Sequence, residues 1–243
     1  MKKLIVLIPC YNEAKGIASV IAKFPRKQLE QRNLESEIIV IDNCSTDGTA
    51  EIAAAAGARV IKEGKKGKGN AIRTGFRALP ADTDFVIMLD GDDTYDAGEV
   101  TRMIEPLQNK FCNVVVGSRL GGKMHNGAMR SVNRAGNWFF THIVRAYYKV
   151  NVTDVLTGYF AWDKECIDTL LPNLVSEGFA IEMEMITKMA KLGHNIYSVP
   201  ISYTPRSGET ALRPFYDGRR ILKMYLDNMR WQPAEFQNEK VGS

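Results

Sequence analysis

The stretch "FVIMLDGDDTYDAGE", Phe85 to Glu99, sets an apolar run directly against four aspartates, Asp90, Asp92, Asp93 and Asp96. An unbroken apolar run bounded by polar residues reads as a strand buried on both faces. Carboxylates this crowded repel one another at neutral pH, so the arrangement implies a positive partner. A strand that ends in Asp-x-Asp suits a hard divalent cation, Mg²⁺ or Mn²⁺. Such an ion takes one or two carboxylates and fills its remaining positions with substrate phosphate oxygens and water. An EF-hand loop would need glycine at its sixth position, where Tyr95 stands. Asp96 and Glu99 suit the start of a helix, where the dipole favours negative charge.

The same alternation recurs on either side of this stretch. "KLIVLIP", "EIIVID", "ARVIK" and "NVVVGSR" are strand runs, and "GIASVIAKF", "DGTAEIAAAAGA", "GNAIRTGFRAL" and "EVTRMIEPLQ" carry helical spacing. Continuous apolar strands alternating with helices predict an α/β domain with a mostly parallel sheet covered on both faces. Ligands of such sheets collect beyond the carboxyl ends of the strands, which here read "PCYNE", "DNCSTD", "DGDD" and "GSR". The second half is less regular. "RSVNRAGNWFFTHIVRAYYKV", "AIEMEMITKMAKLG" and "RPFYDGRRILKMYLDNMRW" read as helices, while "TGYFAW" and "HNIYSVPISYTP" are extended. No repeat or linker divides the chain, so a single domain over 1–230 is expected, with a frayed tail over 231–243.

At 243 residues, 45% hydrophobic and 25% charged, the composition is that of a globular domain with a proper core. Its 32 basic and 28 acidic residues leave a charge of +4, and nucleic acid is not an expected partner. The four cysteines are scattered and form no CxxC, as in a cytosolic protein with reduced thiols. The apolar run before Cys10 is too short for a signal-peptide core, and nothing approaches the ~20 apolar residues of a membrane span. A soluble or membrane-peripheral protein is expected.

In chain order, "IPCYNE", "VIDNCSTDGT", "GKKGKGNAIRTGF", "LDGDD", "GSR" and "DVLTGYFAW" resemble the family 2 glycosyltransferases of the GT-A fold. More narrowly they resemble the dolichyl- or polyprenyl-phosphate sugar synthases (dolichol-phosphate mannosyltransferase-like). The resemblance implies an inverting, metal-dependent enzyme at the cytoplasmic face of the membrane. Its donor would be a nucleoside-diphosphate sugar and its acceptor a dolichyl or polyprenyl phosphate. It implies that Pro9, Tyr11, Glu13, Val40 and Asp42 line the nucleoside pocket. Asp90 and Asp92 would hold the metal against the diphosphate, with Gly91 against the sugar nucleotide. Arg119 and Arg206 would contact phosphate, and Arg213 stands near a lysine position of the family, at a different spacing. Asp154 matches a position near the acceptor, as either a base or a residue that orients an arginine. The "KKGKG" run reads either as a solvated basic loop or as one whose Lys68 touches the diphosphate. "DGDD" in place of "DAD" tilts the donor from GDP-mannose toward a UDP-sugar.

Transfer to an alcohol normally needs a base. A lipid monophosphate, with a second pKa of about 6, is already largely a dianion at neutral pH and needs cations that position it. Arg119, Arg130, Arg134 and Arg206 are of the right type, since arginine forks grip phosphate bidentately. Arg130 and Arg134, one turn apart, equally suit a solvent face. Glu182 and Glu184 are weaker base candidates, because an i, i+2 pair points two ways on a helix. The basic and aromatic "NWFFTHIVRAYYKV" suits a helix lying in a membrane interface, or aromatics buried in a core. Two alternatives stand beside this reading: a transferase with a soluble glycan or protein acceptor, and a non-catalytic nucleotide-sugar-binding module.

Overall fold

The computed structural model describes residues 1–206 and 211–233, and the expected tail from 234 onward lies outside the described residues. The strands are β1 (Lys2–Cys10), β2 (Leu34–Asp42), β3 (Arg59–Lys62), β4 (Phe85–Met88), β5 (Val114–Met124), β6 (Phe160–Asp163) and β7 (Ile196–Tyr203). The helices are α1 (Ile17–Lys23), α2 (Arg26–Gln31), α3 (Thr49–Ala55), α4 (Lys68–Arg77) and α5 (Val100–Gln108). They continue as α6 (Ser131–Tyr148), α7 (Lys164–Leu170), α8 (Ile181–Lys191) and α9 (Pro214–Arg230).

Seven strands form one sheet in the order β3-β2-β1-β4-β6-β5-β7. β1 pairs in parallel with β2 and β4, β2 with β3, and β5 with β7, so the sheet is mostly parallel as expected. β6 is antiparallel to both neighbours: Phe160 lies opposite Met88 and Asp163 opposite Phe85, so this strand starts at the site end and runs back. The apolar runs are buried on both faces. Leu4, Val6 and Ile8 of β1 pack with Ile17, Val20 and Ile21 of α1 and Met103 and Ile104 of α5. Ile5 and Leu7 pack on the other face with Ile72 and Phe76 of α4. That second layer continues through Trp162, which stacks on Phe160 at 5.2 Å and meets Phe76 edge-on at 5.3 Å.

Helices α2 and α7 were not expected from the sequence, where both lie in runs made mostly of charged and polar residues. Only Leu29 is buried in α2, while α7 is started by Asp163, whose Oδ1 accepts the Cys166 N–H at 2.8 Å.

Register brings the polar turns together. Cys10 lies beside Asp42 and Leu7 beside Met88, so the segments after β2, β1 and β4 leave the sheet side by side. The turn after β4 rests on glycines. A Cβ on Gly16 would sit 2.7 Å from the Gly91 carbonyl oxygen and 2.9 Å from the Asp92 carbonyl carbon. Gly91 itself lies against Cys10, whose Sγ is 2.6 Å from where its Cβ would be. Its missing side chain therefore admits Cys10. Gly16→Ala must displace backbone at Asp92, not a flexible side chain. Activity should fall on the order of a hundredfold, with a small loss of thermal stability. Wild-type kcat/KM in the variant would contradict this.

Candidate active site

The four aspartates of the acidic turn part company in the fold. Asp96 caps the turn ahead of α5, its Oδ1 accepting the Gly98 N–H at 2.8 Å. Asp93, held at φ 59°, turns toward α1 and accepts Ser19 Oγ at 2.8 Å and Lys23 Nζ at 2.7 Å. Asp90 and Asp92 remain, and each meets a cation from a distant part of the chain. Lys68 Nζ, at the first turn of α4, lies 2.8 Å from Asp90 Oδ1 and 2.8 Å from a Glu182 carboxylate oxygen. Arg206, just after β7, places Nη1 3.0 Å from Asp92 Oδ2 and donates through Nη2 to Glu13. Asp92 also accepts the Thr94 hydroxyl at 2.6 Å, so Thr94 orients this carboxylate.

Burial gives these charges their leverage. Burial lowers the Lys68 pKa, but the Asp90 and Glu182 carboxylates outweigh it and hold the ammonium above its ordinary value. Glu13 is pushed up to about 7 by burial and by the Asp92 and Asp90 charges, against the pull of Arg206. Burial and Asp90 likewise raise Asp92.

The donor set suits a hard divalent cation. Among the described residues no group of three or more His, Cys, Asp or Glu side chains is arranged to hold a metal. An ion here would rest on Asp90 and Asp92 and complete its shell with phosphate oxygens and water. Gly158 keeps the approach to Asp90 clear, since a Cβ there would run into both carboxylate oxygens.

The residues expected to line a nucleoside pocket are knitted together from two turns. Asn12 N–H donates to Ser45 Oγ at 3.0 Å, Thr46 N–H to Asn12 Oδ1 at 2.9 Å, and Glu13 N–H to Thr49 Oγ1 at 2.9 Å. "DNCSTD" thus uses its serine and threonine to fix the "CYNE" turn. Tyr11 is half-buried under Lys66, whose Nζ sits 3.8 Å from the ring centroid, and Pro9 is partly exposed. Asp42 is nearly buried, and its Oδ1 accepts the Ser45 N–H at 3.3 Å. Val40 has no accessible surface and packs in the β1–β2 core layer, so it supports the strand beneath instead of lining an open pocket. The "KKGKG" run exposes Lys65 and Lys66 but is anchored from Gly67 onward. Asn43 accepts the Gly67 N–H at 2.6 Å and donates to the Lys65 carbonyl at 2.8 Å, and Gly67 and Gly69 press against the backbone of Glu177 and Ser176.

On the other side, Asp154 has no accessible surface. Its carboxylate accepts Arg119 Nε at 2.8 Å, Arg119 Nη2 at 2.9 Å, the Arg119 backbone N–H at 2.9 Å and Asn137 Nδ2 at 2.6 Å. A carboxylate so enclosed and so fully bonded orients an arginine; the alternative role of base does not fit this geometry. Arg119 is itself buried and spends Nη2 also on the Leu156 carbonyl at 2.5 Å. Its Nε and Nη2 are thus engaged, and no hydrogen bond of Nη1 is formed among the described residues. Asn137, invisible as a functional residue in the sequence, ties α6 to this pair. Arg130 and Arg134 at the start of α6 are exposed, and Arg213 is exposed at the cap of α9, where its backbone N–H donates to Asp217 at 2.7 Å. The two glutamates of α8 also separate. Glu182 faces Lys68, while Glu184 accepts the Val175 and Ser176 N–H groups and pairs with Lys188 at 2.6 Å.

The family model described as "Glycosyl transferase family 2" matches residues 5–171. Glycosyltransferase AglJ of Haloferax volcanii is 38% identical over 223 residues, 90% of this chain and 70% of that protein. A dolichyl-phosphate hexose transferase of the same organism is 32% identical over 220 residues, 90% of this chain and 91% of that protein. Among solved structures, glucosyl-3-phosphoglycerate synthase from Mycobacterium tuberculosis, in complex with Mn²⁺, uridine diphosphate and glucosyl-3-phosphoglycerate, superposes with a TM-score of 0.71. At 22% identity over 94% of this chain and 80% of that one, this is a likeness of fold.

The raised Glu13 makes a prediction for the protein in chelator. Its carboxyl holds a proton to about 7 in the fold against 4.5 when unperturbed, so the folded state binds more protons across that window. Stability should therefore fall as pH rises through it. Thermal melts at about pH 5 and about pH 8 should show a shallower decline in Glu13→Gln than in wild type. Equal slopes would show that Glu13 ionises normally in the fold.

Proposed function

The chain belongs to glycosyltransferase family 2, and on that premise we propose that it moves a sugar from a nucleoside-diphosphate donor, a UDP-sugar, to a dolichyl or polyprenyl phosphate. The observation that carries the choice of acceptor is the closure of Asp154. The carboxylate at the acceptor-side position is committed to Arg119 and Asn137, and a phosphate nucleophile, unlike an alcohol, needs no base. The relative named as a dolichyl-phosphate hexose transferase supports the same acceptor. The UDP in the structural neighbour accords with the donor.

The residues divide the work. Bound at Asp90 and Asp92, Mg²⁺ or Mn²⁺ would supply charge stabilisation for the departing diphosphate. Lys68 and Arg206 add fixed cations beside it. Arg206 Nε is buried and has no hydrogen-bond partner among the described residues. Arg130, Arg134 and the Nη1 of Arg119 hold the acceptor phosphate. Its oxygen attacks the anomeric carbon as the bond to the diphosphate breaks on the opposite face, inverting that centre.

Such an acceptor lies in a bilayer, whereas no described helix is long and apolar enough to cross one. α6 supplies a peripheral contact at the cytoplasmic face. Its inner face buries Asn137, Phe140, Thr141 and Val144. Its outer face exposes Trp138 (57%) and Phe139 (49%) beside Arg134, Arg145 and Lys149, and α9 adds Phe215 at 82%. Aromatics mixed with basic residues suit the headgroup region, where each basic residue contributes about 1 kcal/mol on anionic lipid.

Two measurements test the reading. UDP- and GDP-sugars offered with polyprenyl phosphate in vesicles should give a glycosylated lipid with UDP release. Asp92→Asn, or excess chelator, should abolish the product while the fold remains. Transfer only to soluble glycans would replace the lipid acceptor, and donor binding without turnover on any acceptor would favour the binding-module reading. Separately, sedimentation with anionic vesicles should weaken with salt and be lost in a Trp138→Ser, Phe139→Ser variant. Phe140 is buried and unsuited to this test. If the variant sediments like wild type, α6 is not the contact.

A further inference from the structure

Each carboxylate of the Asp90–Asp92 pair is held by a cation that also holds a second, partly or fully buried carboxylate. Lys68 bridges Asp90 and Glu182, and Arg206 bridges Asp92 and Glu13. The two bridges come from unrelated parts of the chain yet have the same construction. Four carboxyl groups face two side-chain cations, so the cluster carries more acidic groups than its own cations pair off. Glu182 is 5% exposed, and the Glu13 and Lys68 side chains are 13% and 15% exposed, so none has free access to water as a substitute partner.

From this we infer that Glu182 is a positioning residue: it is the partner on which Lys68 stays when Asp90 turns to a divalent cation. Glu13 serves Arg206 and Asp92 in the same way. The inference rests on the reading that Asp90 and Asp92 hold the cation. Releasing a buried ammonium from its only carboxylate leaves an uncompensated charge, which is costly. A cation with two carboxylates gives up one and remains paired. Lys68 and Arg206 then stay beside the site as fixed positive charges for a diphosphate. Without Glu182, Lys68 would have Asp90 alone and would compete with the metal for it.

The test is Mn²⁺ binding to the protein alone, with no donor present, read by electron paramagnetic resonance of free Mn²⁺. Wild type is compared first with Asp92→Asn. Equal affinity there would overturn the cation site itself, and with it this inference. Given a difference, Glu182→Gln should bind Mn²⁺ roughly tenfold more weakly and Lys68→Met more tightly than wild type. The double variant decides between a partner for Lys68 and a mere contribution of negative charge. If Glu182 acts through Lys68, then Lys68→Met and the Lys68→Met, Glu182→Gln pair bind Mn²⁺ equally. If Glu182 acts only as a charge, the pair falls back to wild-type affinity, and the inference is overturned. That comparison needs no folded Glu182→Gln single variant.

Discussion

Negative charge gathered where parallel strands end, under partial exclusion of water, is the constraint on which the rest of the site depends. Repulsion among Glu13, Asp90, Asp92 and Glu182 strengthens as the local dielectric falls. Two side-chain cations offset part of it, and burial, together with the neighbouring carboxylates, leaves Glu13, Asp92 and Glu182 holding their protons longer than usual. The site is therefore poised toward positive charge before any ligand arrives. The same cations that stabilise it without a metal have the right chemistry to meet a diphosphate. Lys68 comes from the N-terminal turn of α4, an unfavourable place for a cation beside a helix dipole, and its two carboxylates compensate for that placement.

The half of the site around Arg119 is built by a different device. Arg119 and Asp154 form a buried, doubly bonded pair, and Asn137 fastens α6 to it. A buried ion pair is weak evidence of added stability, but removal of either partner leaves a charge with no solvent to turn to. Its geometric consequence is clear: the start of α6, with Arg130 and Arg134, is fixed relative to the strand that carries Arg119. α6 thus has an inner face that locks into the site and an outer face of aromatic and basic residues. α9 braces it, with Tyr225 donating to the Ile143 carbonyl at 3.3 Å.

Strands and long helices were legible because their patterns are local. Apolar runs such as "LIVLI" and "FVIML" can be buried only on both faces, and the helical spacing between them requires crossovers. The polar turns then fall at the carboxyl ends without any knowledge of contacts. Some short elements were not legible: α2 and α7 are made mostly of charged and polar residues, and the reversed direction of β6 leaves no mark in "YFAW". Among the site residues, Asp90 and Asp92 were readable from their place at a strand end. Val40 was not, since a valine in an apolar run looks the same whether it supports a pocket or lines one.

The layered α/β architecture, the position of the acidic turn and the family could be read from the amino-acid order alone, because each rests on residue type and spacing along one segment. Tertiary structure decided what each charge does. Asp93 turns to Lys23, Asp154 is sealed by Arg119, and Glu182 meets Lys68 while Glu184 meets Lys188. It also decided which aromatics of α6 face outward. The physical reason is that a charge acts through its nearest opposite charge, and here several of those partners are brought together by chain crossings. Arg206 and Glu13 stand 193 residues apart in the chain, and no local pattern encodes their meeting.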